Sequence, residues 1–173
     1  MCTEMERELP TEDPPTSYQD IFNIRGQMYH AAMARYPNAR AMEFQLPLAE
    51  LDLQPGNTLI DLPSGGGYLT NYLPDNIQLH CLESSQAFAS LCEQKGHHVS
   101  LFHDSRLPLT DHSADHILSI AGIHHIENKR PLFKEMHRIL KPGGQACIAD
   151  VEHNSPVALF LDDIVHRYTA TGH

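Results

Sequence analysis

The chain has 173 residues, 41% of them apolar and 20% charged, a balance that supports a globular core and excludes a disordered polyelectrolyte. Lys and Arg number 12 against 22 Asp and Glu, a formal charge of -10 that argues against nucleic acid and anionic membranes as main partners. No apolar run approaches the roughly 20 residues of a membrane span. The first residues lack the basic start and apolar stretch of a secretory signal, so a cytoplasmic protein is expected.

Residues 1–16 read as a mobile acidic arm, with Glu4, Glu6, Glu8, Glu12 and Asp13 set against Arg7 among Pro10, Pro14 and Pro15. Residues 17–56 read as N-terminal helices that fold over the rest as a lid. Ile21, Ile24, Met28 and Tyr36 recur at helical spacing, Gly26 predicts a division into two short helices, and Pro37-Asn38 ends the pattern. Ala41, Phe44, Leu48 and Leu51 continue a helical rhythm in which Pro47 predicts a break or kink.

From residue 57 to 173 the rhythm alternates. Short apolar runs at 58–62, 77–82, 99–102, 115–121 and 145–151 read as buried strands. Between and after them, 68–73, 85–95, 131–140 and 155–168 read as helices, with Gly96 as a C-cap and Pro142-Gly143-Gly144 as a turn. Near-continuous apolar strands alternating with helices define an α/β class with a parallel sheet covered on both faces.

Cys2, Cys81, Cys92 and Cys147 have no C-x-x-C spacing and read as reduced thiols. The 13 histidines are scattered, the pairs His97-His98 and His124-His125 included, and no metal site is expected.

Ligands of open parallel sheets sit beyond the carboxyl ends of the strands. Those ends carry Asp61-Leu62-Pro63-Ser64-Gly65-Gly66-Gly67, then Glu83-Ser84, then Asp104-Ser105, then Gly122 and His124-His125, then Asp150 or Glu152. Glycines let a backbone approach a ligand closely. A carboxylate at a strand end accepts ribose hydroxyls, and Asp104 can accept from an exocyclic amine. A glycine loop, a carboxylate or an Asx turn has an ordinary reading when it stands alone; their succession at adjacent strand ends describes a pocket for an adenosine linked to an amino acid. Arg106 is the sole basic residue of these loops, which suits a ligand without phosphates.

These motifs resemble the class I S-adenosylmethionine-dependent methyltransferase domain, in its methyltransferase type 11 branch. TLIDLPSGGGYL at 58–69, LHCLESS at 79–85, HDSRLPLTDHSADHILSIAGIHHI at 103–126 and LFKEMHRILKPGGQACIADV at 132–151 carry the resemblance. It implies a Rossmann-like, doubly wound, mostly parallel sheet in the order 3-2-1-4-5. The chain departs from the family in lacking the last two strands of the full methyltransferase fold, which is expected of a truncated form or of a chain whose sheet edge a partner covers.

The resemblance also implies S-adenosyl-L-methionine as cofactor and S-adenosyl-L-homocysteine as product. Asp61, Gly65 and Gly67 would line the methionine part, within a loop that includes Pro63 and Ser64. Glu83, with Ser84 beside it, would hold the ribose, and Asp104 and Ser105 the adenine. Ser119 to Ala121 would floor the site near the sulfonium. Pro63 replaces the first glycine of the family's D-x-G-x-G, which predicts a rearranged loop.

Methyl transfer requires in-line alignment of the acceptor, and a base only where the nucleophile carries a proton. His124 is the candidate base, and Tyr18, Arg25 and Tyr29 are candidate contacts. A small-molecule acceptor is expected, with no membrane or nucleic-acid partner, and a homodimer would cover the exposed sheet edge. RNA or protein is an alternative acceptor. A catalytically silent or partner-dependent cofactor-binding protein is the alternative function. A nicotinamide oxidoreductase fits poorly, because the loop lacks G-x-G-x-x-G.

Overall fold

The computed structural model describes residues 17–103, 105–161 and 163. The acidic arm, Cys2, Asp104 and most of the C-terminal helical expectation beyond 161 lie outside the described residues.

Five strands form one parallel sheet: β1 (Thr58–Asp61), β2 (Gln78–Glu83), β3 (His98–Leu101), β4 (Ala114–Ile120) and β5 (Leu140–Ala149). Their order is β3-β2-β1-β4-β5, as the family resemblance implies. The central strands β1 and β4 are almost wholly buried, whereas β3 and β5 at the two edges are largely exposed. Among the described residues the α-helices are α1 (Tyr18–Arg35), α2 (Ala41–Ala49), α3 (Gln86–Gln94), α4 (Lys129–Ile139) and α5 (Pro156–Phe160).

Side chains alternate across a strand, so adjacent residues of β1 serve opposite cores. Ile60 packs with Ile117, Leu132, Met136 and Ile139 on the α4 side. Leu59 packs with Met33, Phe44, Leu48, Leu69 and Leu118 beneath α1 and α2.

Four expectations are revised. First, α1 is one helix rather than two. A Cβ on Gly26 would stand 3.2 Å from the Ala87 Cβ, so this glycine permits close contact with α3 and does not break the helix. Second, the buried positions of α1 are Ile21, Gly26 and Met33, whereas Ile24, Met28 and Tyr36 are exposed. Apolar residues surround much of the helix, and contact with α3 selects which face is buried. Third, β5 begins at Leu140, before the Pro-Gly-Gly segment. The register shifts between the Ala114–Leu140 and His116–Gln145 pairs, and Gly143 takes a φ of +82° inside this irregularity. Fourth, Pro47 lies within the last turn of α2 and does not end it.

Candidate active site

The carboxyl ends of β1 and β4, with the loop after β1, border a cavity of about 60 Å³. Its lining includes Tyr18, Tyr29, Arg40, Asp61, Pro63, Ser64, Gly65, Tyr68 and Ala121, among other residues.

Asp61 ends β1 and is 4% exposed. Among the described residues, no hydrogen-bond donor meets its carboxylate. Burial pushes this carboxyl well above its ordinary range, and the neighbouring Cys92 and Glu83 push it further. A buried carboxylate facing a cavity in this way suits a cationic ligand group.

The loop after β1 is pinned by its neighbours. The amide of Leu62 donates to the Leu118 carbonyl at 3.0 Å, and the amide and hydroxyl of Ser64 both donate to the Leu82 carbonyl, at 3.0 and 3.2 Å. The Ser64 hydroxyl therefore anchors the loop to β2. Gly65 and Gly67 have φ of +52° and +67°, a region that other residues avoid. A Cβ on Gly67 would meet His97 at 2.8 Å, so Gly67 shapes the loop from the side away from the cavity. The loop keeps both left-handed positions on glycines. Pro63 fits because position 122 is glycine, where a Cβ would stand 2.3 Å from the proline Cδ.

Glu83 ends β2 and is fully buried. Its Oε1 accepts from the amides of Ser84 (2.7 Å) and Ser85 (2.8 Å). Its Oε2 accepts from the Gly65 amide (2.7 Å) and the Tyr18 hydroxyl (3.1 Å). Burial pushes the carboxyl up to about 7, although these four hydrogen bonds pull it down. Ser84 thus contributes a backbone amide that orients Glu83. Burial and the adjacent Glu83 raise the Tyr18 hydroxyl well above its ordinary value.

α1 reaches the site because Asn23 binds the start of α3. Its Oδ1 accepts from the Ser85 hydroxyl at 3.0 Å and from the Ala87 amide at 3.4 Å. Phe22 packs on Phe88 at 5.0 Å between ring centroids, and Tyr29 lies 6.0 Å from Tyr68. Tyr18 and Tyr29 line the cavity, and Arg25 is not among the lining residues.

Arg40, which sequence reasoning did not single out, is the cation of this lining. It immediately precedes α2, hydrogen-bonds to the Tyr29 hydroxyl and pairs with Glu43. Its position outside every strand-end motif left no local signal.

At the end of β4, Ala121 has a φ of +48° and lines the cavity. Ser119 is buried, and its hydroxyl has no hydrogen-bond partner among the described residues. His124 is held twice by Asp150: its amide donates to Oδ2 at 3.1 Å, and its ring Nδ1 lies 2.6 Å from Oδ1. Burial alone would raise the Asp150 carboxyl, but its hydrogen bonds with the His124 ring and the Val151 amide leave it below the ordinary range. The neighbouring His125 ring stands 5.5 Å from that of Tyr18. Among the described residues, no group of three or more His, Cys, Asp or Glu could hold a metal. Cys81, Cys92 and Cys147 are free thiols.

The donor set fits an adenosine-linked amino acid in chemistry: Asp61 faces the cavity unpartnered, Glu83 stands at the end of β2, and Arg40 supplies one positive charge. The space does not yet admit it. Small-ligand pockets occupy roughly 300–1,000 Å³, and here α1 fills the gap.

This sheet order, glycine loop and carboxylate at the end of β2 define a Rossmann-like methyltransferase fold. The family model described as "Methyltransferase domain" matches residues 60–148, and the chain belongs to that family. It is 34% identical over 102 residues to "Probable tRNA methyltransferase 9B" of Mus musculus, covering 56% of this chain and 22% of that protein. A SAM-dependent methyltransferase from Thermotoga maritima has a similar fold, with a TM-score of 0.70 and 23% identity over 87% of this chain and 69% of that one. Another similar fold occurs in the complex between the Haloferax volcanii Trm112 methyltransferase activator and its methyltransferase. There the TM-score is 0.61 and the identity 24%, over 74% of this chain and 57% of that one. The chain spans about a fifth of the length of the tRNA methyltransferase relative.

These likenesses correct the expected partners. The sequence reading set nucleic acid aside in favour of a small molecule and a homodimer; the relatives include a tRNA methyltransferase, and one similar structure holds a protein activator. Net charge does not exclude such partners, because it sums the whole surface, whereas a partner meets one patch of it. No helix among the described residues is long and apolar enough to cross a membrane.

Proposed function

We propose that this chain transfers a methyl group from S-adenosylmethionine to a tRNA nucleoside, leaving S-adenosylhomocysteine. The observation that carries the donor is Asp61, a buried carboxylate facing the cavity without a hydrogen-bond partner among the described residues. The acceptor rests on the likeness to a tRNA methyltransferase.

In this reading Asp61 holds the α-ammonium of the donor and Arg40 its α-carboxylate. Glu83 accepts the ribose hydroxyls, oriented by the amides of Gly65, Ser84 and Ser85. Asp104 and Ser105 serve the adenine, and Ser119 to Ala121 floor the site. The donor supplies an electrophilic methyl group when bound. The chain's own task is to align the acceptor and keep water out. His124, held by Asp150, takes a proton from an acceptor that carries one. Residues 17–56 act as a lid that opens for the nucleoside.

A second reading has support in the closed cavity: the chain binds the donor only after a protein partner displaces α1.

Calorimetry with S-adenosylhomocysteine, followed by tritiated methyl transfer to bulk tRNA, tests the proposal. Binding and labelled tRNA are expected. Binding without label removes the acceptor. If binding fails both alone and with an added activator protein, the donor reading falls.

A further inference from the structure

α4 divides its residues by side. Leu132, Met136 and Ile139 are buried against the sheet. Arg130, Phe133, Lys134 and His137, spaced at three and four residues, line one shallow groove on the opposite side. Phe133 is 40% exposed.

The stripe opposes the charge of the chain. Lys129, Arg130, Lys134, Arg138 and Lys141 are five of the 12 basic residues in a molecule of net charge -10. Arg138 is neutralised by Glu135 and Asp111, and Lys141 by Asp115. Arg130 and Lys134 have no ion pair among the described residues. Their Cα atoms stand one helical turn apart, about 6 Å along the axis. The helix begins at Lys129 after its N-cap Asn128, on the segment that follows His124 and the cavity-lining Ala121 in the chain.

From this juxtaposition we infer that the outer side of α4 is a docking surface for RNA, with Arg130 and Lys134 on phosphates and Phe133 stacked on a base. Phosphate contacts supply affinity and position without reading sequence, and an aromatic ring between cations is the usual platform for an unpaired base. A lipid surface fits less well. A membrane-bound helix presents a broad apolar face, but the apolar face of α4 is spent on the core and leaves Phe133 alone outside. The inference rests on the tRNA reading for its partner and adds the surface that holds it.

The test measures binding of fluorescein-labelled bulk tRNA to the full chain by anisotropy at several salt concentrations. The Arg130→Glu/Lys134→Glu variant should bind at least about tenfold more weakly, and its slope of log affinity against log salt should be shallower by about 1.5 to 2. Phe133→Ala should weaken binding about fivefold or more. Arg130→Lys/Lys134→Arg should restore it. S-adenosylhomocysteine binding and the melting temperature should not change, which separates docking from folding.

Unchanged tRNA affinity in the double Glu variant overturns the surface, even where methyl transfer to tRNA occurs. Weakened affinity in a protein that methylates no tRNA supports the surface and removes only the acceptor. Sedimentation with phosphatidylserine vesicles in the absence of RNA binding overturns it in favour of a membrane.

Discussion

The Tyr18 hydroxyl donates to Glu83 Oε2 at 3.1 Å, across 65 residues of sequence. In the proposed reading it occupies the acceptor that a ribose hydroxyl would take, with α1 lying over the cavity. Tyr18→Phe removes this bond and keeps the ring that packs on Phe22 and His125. The ligand-free protein should lose about 1 kcal/mol of stability, and S-adenosylhomocysteine should bind about fivefold more tightly. Thermal melts and calorimetry measure the two effects. Weaker binding would instead make Tyr18 a contact of the bound state.

Glu83 gives the site a pH dependence. Burial raises its carboxyl from an ordinary 4.5 to about 7, so folding favours the protonated form. The resulting stabilisation is complete below 4.5 and is lost as pH rises through 7. Between about pH 5 and 8, wild-type stability should therefore fall relative to Glu83→Gln. Ribose hydroxyls need the ionised acceptor, so affinity for S-adenosylhomocysteine should rise over the same interval. A flat affinity profile from calorimetry across this range would separate Glu83 from the ribose.

Arg40 offers a test that needs no acceptor. S-adenosylhomocysteine and 5′-methylthioadenosine share the nucleoside and sulfur, but only the first carries a carboxylate. Arg40→Met should weaken the first about 10- to 100-fold and leave the second nearly unchanged. Equal losses would assign Arg40 to the lid, through its Tyr29 and Glu43 partners.

Asp150 holds both the backbone and the ring of His124. Asp150→Asn should slow methyl transfer about 100-fold where the accepting atom bears a proton. Transfer to an ionised carboxylate should change little, because such an acceptor needs no base. The comparison distinguishes a proton-handling dyad from a bracket that only shapes the loop.

Gly122 and Pro63 form a steric pair, with a Cβ at 122 falling 2.3 Å from the proline Cδ. Gly122→Ala should cost about 1–3 kcal/mol of stability. Adding Pro63→Gly should recover much of it in calorimetric melts, because the φ of -135° at residue 122 is open to alanine. No recovery would place the clash elsewhere.

Apolar runs bounded by Gly, Pro and acids mark the first four strands and the second half of β5, and the order of acids and glycines after them marks the edge that carries the candidate site. Those signals are local: a strand's pattern and a turn's chemistry are written in adjacent residues. Tyr18 on Glu83, Asp150 on His124 and Arg40 in the cavity join residues far apart in the chain, and strand order and helix packing bring them together. The same holds for α1, whose Gly26 reads as a break until Ala87 stands against it, and for α4, whose bare cations vanish within a net charge of -10. The sequence by itself determined the α/β alternation and the acidic strand ends, because both follow from short-range chemistry. Only the tertiary structure decided which side chains close the site and which charges remain unpaired, because both depend on neighbours that the chain meets after folding.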